Sequence, residues 1–146
     1  MPVNAQAIGK SYPPATYAVG REKIREYALA VGEADPLHLE LEAARAAGYP
    51  DLVAPPMFAV VYCMTAIAGA MFDPEIGINF ALMVHGGQEF SWGPLVVAGD
   101  EISTIATVKD VNERGELRFY VFESVSENQR GETVCTGTWT NIERGG

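Results

Sequence analysis

Two acids and one of the chain's two histidines fall within the short run Gly32-Glu33-Ala34-Asp35-Pro36-Leu37-His38. A carboxylate and an imidazole five positions apart, Glu33 and His38, are the minimum equipment for general acid/base work on one water or substrate hydroxyl. The alternative is a solvated Glu33 and a His38 held by a structural hydrogen bond. Asp35 is a third candidate acid, and ahead of Pro36 it also has the type and place of a turn or N-cap residue. Downstream, Val53-Ala54-Pro55-Pro56-Met57-Phe58 opens an apolar segment. Pro56, Met57, Phe58, Val61 and Tyr62 are its candidate walls for a greasy substrate. His85, beside Gly86-Gly87, reads as a strand residue with a structural hydrogen bond. Two histidines without ligand spacing imply no metal centre. Gly86-Gly87 lacks the Lys-Ser/Thr and following helix of a phosphate loop, and no cofactor is implied.

The loop must be held by its neighbours. Ile24, Tyr27, Ala28 and Val31 recur at the helical period, predicting a helix over 21–31 that Gly32 ends. A short helix follows over about 40–47, stopped by Gly48. Pro56 suits the first turn of the next helix, where a missing N–H costs nothing. That helix is expected to run to about Phe72 and, being apolar all round, to be enclosed on every side. Residues 17–19 are expected as a short strand. Runs over 83–92, 100–111, 116–126 and 132–142 are rich in β-branched and aromatic residues. Leu117, Phe119, Val121 and Val125 share one face of their strand; Val134, Thr136, Thr138, Thr140 and Ile142 share one of theirs. Turns are expected at 112–115 and 128–131, each ending in glycine. Early helices and a later antiparallel meander make an α+β layout.

Composition narrows the function classes. At 146 residues, 48% hydrophobic and 20% charged, the chain reads as one globular domain over 1–146. A net charge of −9 argues against nucleic acid and against an anionic membrane surface. Val53 to Phe72 carries no charge, but its prolines and the acids that follow favour a buried helix over a membrane span. Cys63 and Cys135, far apart and outside any CxxC, are expected as reduced core thiols of a cytoplasmic protein. Arg21, Lys23 and Arg25 alternate with Glu22 and Glu26, the pattern of a solvated helix face.

The layout and the loop together resemble the hotdog fold, specifically the MaoC-like hydratases and dehydratases. Their consensus G-D-x-N-P-x-H-x-D is matched by Gly32 to Glu40 and A-x-x-x-G-(F/Y) by Ala44 to Tyr49. Val53 to Met57 stands at their P-I-A-H-G-M motif. The chain is most similar to the first-subunit type of actinobacterial heterodimeric (3R)-hydroxyacyl thioester dehydratases. Val19 to Ala28 matches V-G-R-E-K-I-R-E-(F/Y)-A, and Ala54 to Phe58 matches A-P-P-x-F. His85 to Phe90 matches H-G-x-Q-x-F, and Ala98 to Asp100 matches A-G-D.

The resemblance implies a single hotdog domain, a long apolar central helix wrapped by a curved antiparallel sheet. It also implies reversible dehydration of a 3-hydroxyacyl thioester carried on CoA or an acyl carrier protein. The catalytic residues would be Glu33 and His38, with Asp35 beside them. The chain would form a homodimer, or a heterodimer with a catalytic MaoC-like subunit. A non-catalytic acyl-thioester-binding module is the alternative; a hotdog thioesterase would want an acid that Pro56 to Phe72 lacks. Three positions depart from the catalytic pattern: Glu33 for Asp, Asp35 for Asn, and Pro55-Pro56 for His-Gly. The last removes the backbone N–H that faces the thioester, and such a loss costs roughly 100- to 1,000-fold in rate.

Overall fold

The computed structural model describes residues 2–145. β1 (Ala15–Ala18) leads into α1 (Arg21–Ala30), a 3₁₀ turn at Pro36–His38 and α2 (Leu41–Ala46). A second 3₁₀ turn at Pro56–Phe58 runs directly into α3 (Ala59–Met71). Four long strands follow: β2 (Met83–Trp92), β3 (Glu101–Arg114), β4 (Leu117–Glu127) and β5 (Thr133–Arg144). They form one sheet in the order β1-β3-β4-β5-β2, antiparallel throughout. This is the hotdog fold, with α3 as the central helix. No helix among the described residues is long and apolar enough to cross a membrane.

α1 ends as its glycine predicts. Gly32 adopts φ 74°, Glu33 N–H bonds the Ala28 carbonyl at 2.8 Å and Gly32 N–H that of Leu29 at 3.3 Å. These are the paired bonds of a Schellman closure, which needs a residue tolerant of the left-handed region. The same pair of bonds closes α2, from Tyr49 to Ala44 and from Gly48 to Arg45. Glu33 is thereby placed where α1 stops.

Inside the sheet, Ile102, Ala106, Val108, Tyr120, Phe122 and Trp139 are buried around Cys63, Ala66, Ile67 and Ala70 of α3. The inner face of β4 is therefore Tyr120, Phe122, Ser124 and Ser126, while Phe119, Val121 and Val125 lie on the half-buried outer face. The inward hydroxyls have partners: Ser126 Oγ meets Thr104 Oγ1 at 2.8 Å, and Trp139 Nε1 donates to Ser124 Oγ at 2.9 Å. Burying a hydroxyl costs little once it is paired. The β3–β4 turn is tighter than expected. Arg114 pairs with Leu117, leaving Gly115-Glu116 as the whole connection.

The helix is not enclosed on every side. Met57 is 46% and Met64 48% exposed, because the sheet curls around one side of α3 and leaves a stripe uncovered. The edge strand β2 runs alongside that stripe with no neighbour on its outer side.

A polar clamp ties the N-terminal segment to the loop after α3. Tyr12 Oη donates to Asp73 at 2.6 Å, and Lys10 Nζ lies 2.7 Å from both Asp73 and Glu75. The hydrogen bond from Lys10, then that from Tyr12, holds the Asp73 carboxyl down at about 2, below its usual 3.8. A depressed carboxylate stabilises the fold above its unfolded value and loses that contribution as pH falls through the folded one. Acid unfolding should therefore steepen between about pH 4 and 2 in the wild type. Asp73→Asn is expected to flatten that window and leave stability at pH 2 nearly unchanged, as checked by denaturant midpoints across pH.

Candidate functional site

His38 is buried on the 3₁₀ turn, 9% exposed, and its Nδ1 donates to the Val53 carbonyl at 2.6 Å. A carbonyl only accepts, so Nδ1 carries a proton, and Nε2 makes no hydrogen bond among the described residues. The turn itself is built locally. Asp35 accepts from Leu37 N–H at 2.9 Å as its N-cap, and Pro36 occupies the first position. Val53 N–H returns a bond to the Leu37 carbonyl at 3.0 Å, clipping the turn to the strand-like segment before α3. Asp35 is thus exposed and committed to a cap. Glu33 is half-buried, and its carboxylate makes no hydrogen bond or ion pair among the described residues. The structure does not hydrogen-bond Glu33 to His38.

At the start of α3, neither Pro55 nor Pro56 has an N–H to offer, and Phe58 N–H is spent on the Pro55 carbonyl at 2.9 Å. The first N–H of that turn belongs to Met57, one residue further along than in the catalytic pattern.

The five candidate wall residues separate onto different sides of the helix. Met57 lines a groove of about 550 Å³ along α3, with Val60, Met64 and Met71 as its helical wall and Trp139 and Gln88 opposite. Pro56 and Tyr62 line a smaller apolar pocket of about 170 Å³ with Trp92, Leu95 and Val134. Trp92 Nε1 donates to the Pro56 carbonyl at 3.1 Å across its mouth. Phe58 is fully buried, its ring meeting Tyr17, Tyr27 and Tyr62 edge-on. Val61 is half-buried and lines neither cavity.

Sequence reasoning did not single out Gln88, Trp139 or Asn141, which form the sheet side of the groove. The H-G-x-Q-x-F match was the signal for Gln88; no local pattern marks Trp139 or Asn141. The register with β5 slips between His85 and Gly87, so Gly86 is the extra residue of a β-bulge. A Cβ on Gly86 would lie 2.4 Å from Ile142 Cδ1, so the Ile142 side chain would have to move to admit one. Strand alternation would send positions 85 and 88 to opposite faces. The inserted residue brings both onto the groove side. His85 is exposed, packs edge-on against Trp139 at 6.3 Å, and its ring makes no hydrogen bond among the described residues, contrary to the structural bond expected of it.

Other motifs resolve as scaffolding. Asp100 of A-G-D, 3% exposed, accepts from Val97 N–H at 3.0 Å and from Gln129 Nε2 at 2.8 Å, locking the β2–β3 connection to the β4–β5 turn. Arg21 grips Asp51 with two bonds of 2.9 and 2.8 Å, Lys23 pairs with Glu26 and Arg25 with Glu22. The basic cluster is therefore spent within the chain. Cys63 and Cys135 are buried free thiols; burial pushes the Cys135 thiol up to about 11, so it is protonated and unreactive. No group of metal-ligating side chains occurs among the described residues.

The chain is 43% identical over 146 residues to a "UPF0336 protein" of Saccharopolyspora erythraea, covering 99% of this chain and 94% of that one. It superposes on the HadBC (3R-hydroxyacyl-ACP dehydratase) complex from Mycobacterium tuberculosis with a TM-score of 0.79 and 29% identity. That match covers 93% of this chain and 96% of the other. A MaoC-like dehydratase gives a TM-score of 0.84 at 26% identity, over 95% of this chain and 42% of that longer one. The model of the FAS1-like, dehydratase domain region matches residues 6–137. With β1 to β4, the central helix and the loop bearing His38 all inside that span, the chain belongs to the FAS1-like dehydratase family.

Proposed function

We propose that this chain is the acyl-binding subunit of a heterodimeric dehydratase acting on (3R)-3-hydroxyacyl or trans-2-enoyl thioesters, with the partner supplying the acid/base pair. The observation that carries this reading is the uncovered methionine stripe of α3 beside the unpaired edge of β2. An edge strand of ten residues presents unsatisfied N–H and C=O groups that a second sheet can pair. A second subunit seated there would roof the groove and turn it into an acyl channel. Methionine suits such a wall because its flexible thioether adapts to differing chains. Pro55-Pro56 supports the division of labour, since the usual oxyanion donor is absent. The structural likeness to a (3R)-hydroxyacyl-ACP dehydratase complex supports the same reading. Free buried cysteines fit a cytoplasmic setting.

A second reading is a homodimer that does the chemistry itself. It is favoured by one observation, the buried His38 whose Nδ1 is engaged by the Val53 carbonyl while Nε2 has no partner among the described residues. Hydration of enoyl-CoA, followed by loss of the conjugated thioester absorbance, separates the two. The purified chain alone is expected to show no turnover. The complex with its partner is expected to turn over, and to do so unchanged when this chain carries His38→Ala. Turnover by the chain alone that vanishes in His38→Ala would establish the homodimer instead.

A further inference from the structure

The groove along α3 is not uniformly apolar. Gln88 Nε2 and Oε1 and Asn141 Nδ2 are buried and have no hydrogen-bond partner. Both residues line the groove, and Asn141 is 2% exposed. Buried polar atoms without partners are costly, and in a native protein each calls for an explanation. A wall meant only for hydrocarbon would have carried leucine or methionine at these two places, as α3 does opposite. Instead the Gly86 bulge shifts the strand's alternation, and Gln88 lines the groove together with Asn141.

The position along the groove is also informative. Trp92, at one end of β2, is anchored to the Pro56 carbonyl. Gln88 stands four residues away, about 13 Å at the rise of a strand. The helical wall from Met57 to Met71 extends about 21 Å at the rise of an α-helix. The orphaned amides therefore stand among the lining of the α3 groove and away from the smaller pocket that Trp92 lines.

We infer that this groove selects an acyl chain bearing an oxygen, as a hydroxyl or ketone, partway along its length, and that Gln88 and Asn141 hydrogen-bond that oxygen. The amide N–H groups of both residues donate to a ketone or a hydroxyl, and Gln88 Oε1 additionally accepts from a hydroxyl. A saturated chain would fill the same space and leave all three atoms unpaired. This inference rests on the acyl-binding reading above, and its test separates the two.

The probes are dodecanoyl-CoA and its mono-oxo analogues, with the ketone at successive positions from the fifth carbon outward. Each is titrated calorimetrically into the complex of this chain with its partner subunit. At least one analogue is expected to bind about tenfold more tightly than dodecanoyl-CoA, the worth of one well-placed buried hydrogen bond. Gln88→Met should abolish that preference, so that the favoured analogue and dodecanoyl-CoA bind the variant equally. It should also raise the melting temperature of the unliganded protein, because it removes two orphaned polar atoms. Asn141→Leu serves as the second variant, with the same loss of preference expected. Equal binding of dodecanoyl-CoA and every analogue overturns the inference and leaves the acyl-binding reading intact. A preference that survives in both variants also overturns it. Failure of every probe to bind the complex of this chain with its partner overturns both.

Discussion

Phe58→Ala is expected to remove about 3–5 kcal/mol of stability, a large share of the roughly 5–15 kcal/mol that holds a domain together. The ring is fully buried where β1, α1 and the start of α3 meet, with Tyr17, Tyr27 and Tyr62 at centroid distances of 6.3, 5.5 and 6.3 Å. No small rearrangement fills the void, because three separate elements would have to move together. Met57, the preceding residue, is 46% exposed. Met57→Ala should cost less than about 1 kcal/mol in the free chain, since little packing is lost at such a position. Urea midpoints of the two variants measure the contrast. Similar losses in both would mean that the start of α3 is not oriented as described.

Filling the groove should have the largest effect on binding. Met64 is 48% exposed and stands on the helical wall of the groove. Met64→Trp would exclude about four methylenes of a bound chain. At about 0.8 kcal/mol each that is about 3 kcal/mol, or about a hundred- to two-hundredfold in Kd. The melting temperature should hardly change, because the added bulk projects from a face the protein leaves open. Acyl-CoA titration of the purified protein reads the outcome. Affinity retained at wild-type level would move the acyl chain out of the α3 groove, and the 170 Å³ pocket between Tyr62 and Val134 would take its place as the candidate.

These two variants mark where the chain's own pattern stops being readable. Pro56 announces a helix start, and Met57 and Phe58 are both simply apolar. Which one enters the core depends on how α1 and β1 dock against that turn, and those contacts join residues about thirty to forty positions apart. The strand periods were legible for the same local reason that helix starts are, and β2 spans the expected 83–92. The face turned inward on β4 was not legible. Phe119, Val121 and Val125 are the more apolar set, yet Ser124 and Ser126 are buried, because α3 and Trp139 supply them with partners.

The sequence by itself determined the elements whose causes are local. Gly32 permits the left-handed closure of α1, Asp35-Pro36 caps the turn that bears His38, and the spaced motifs carry the family. Tertiary structure alone decided the rest. A bulge is defined by two strands, so the common facing of His85 and Gln88 exists only once β2 pairs with β5. The uncovered stripe of α3 likewise follows from where the sheet's curvature ends. Local periodicity tells a residue's phase along its own element; pairing between distant elements decides which phase meets the core and which meets a ligand.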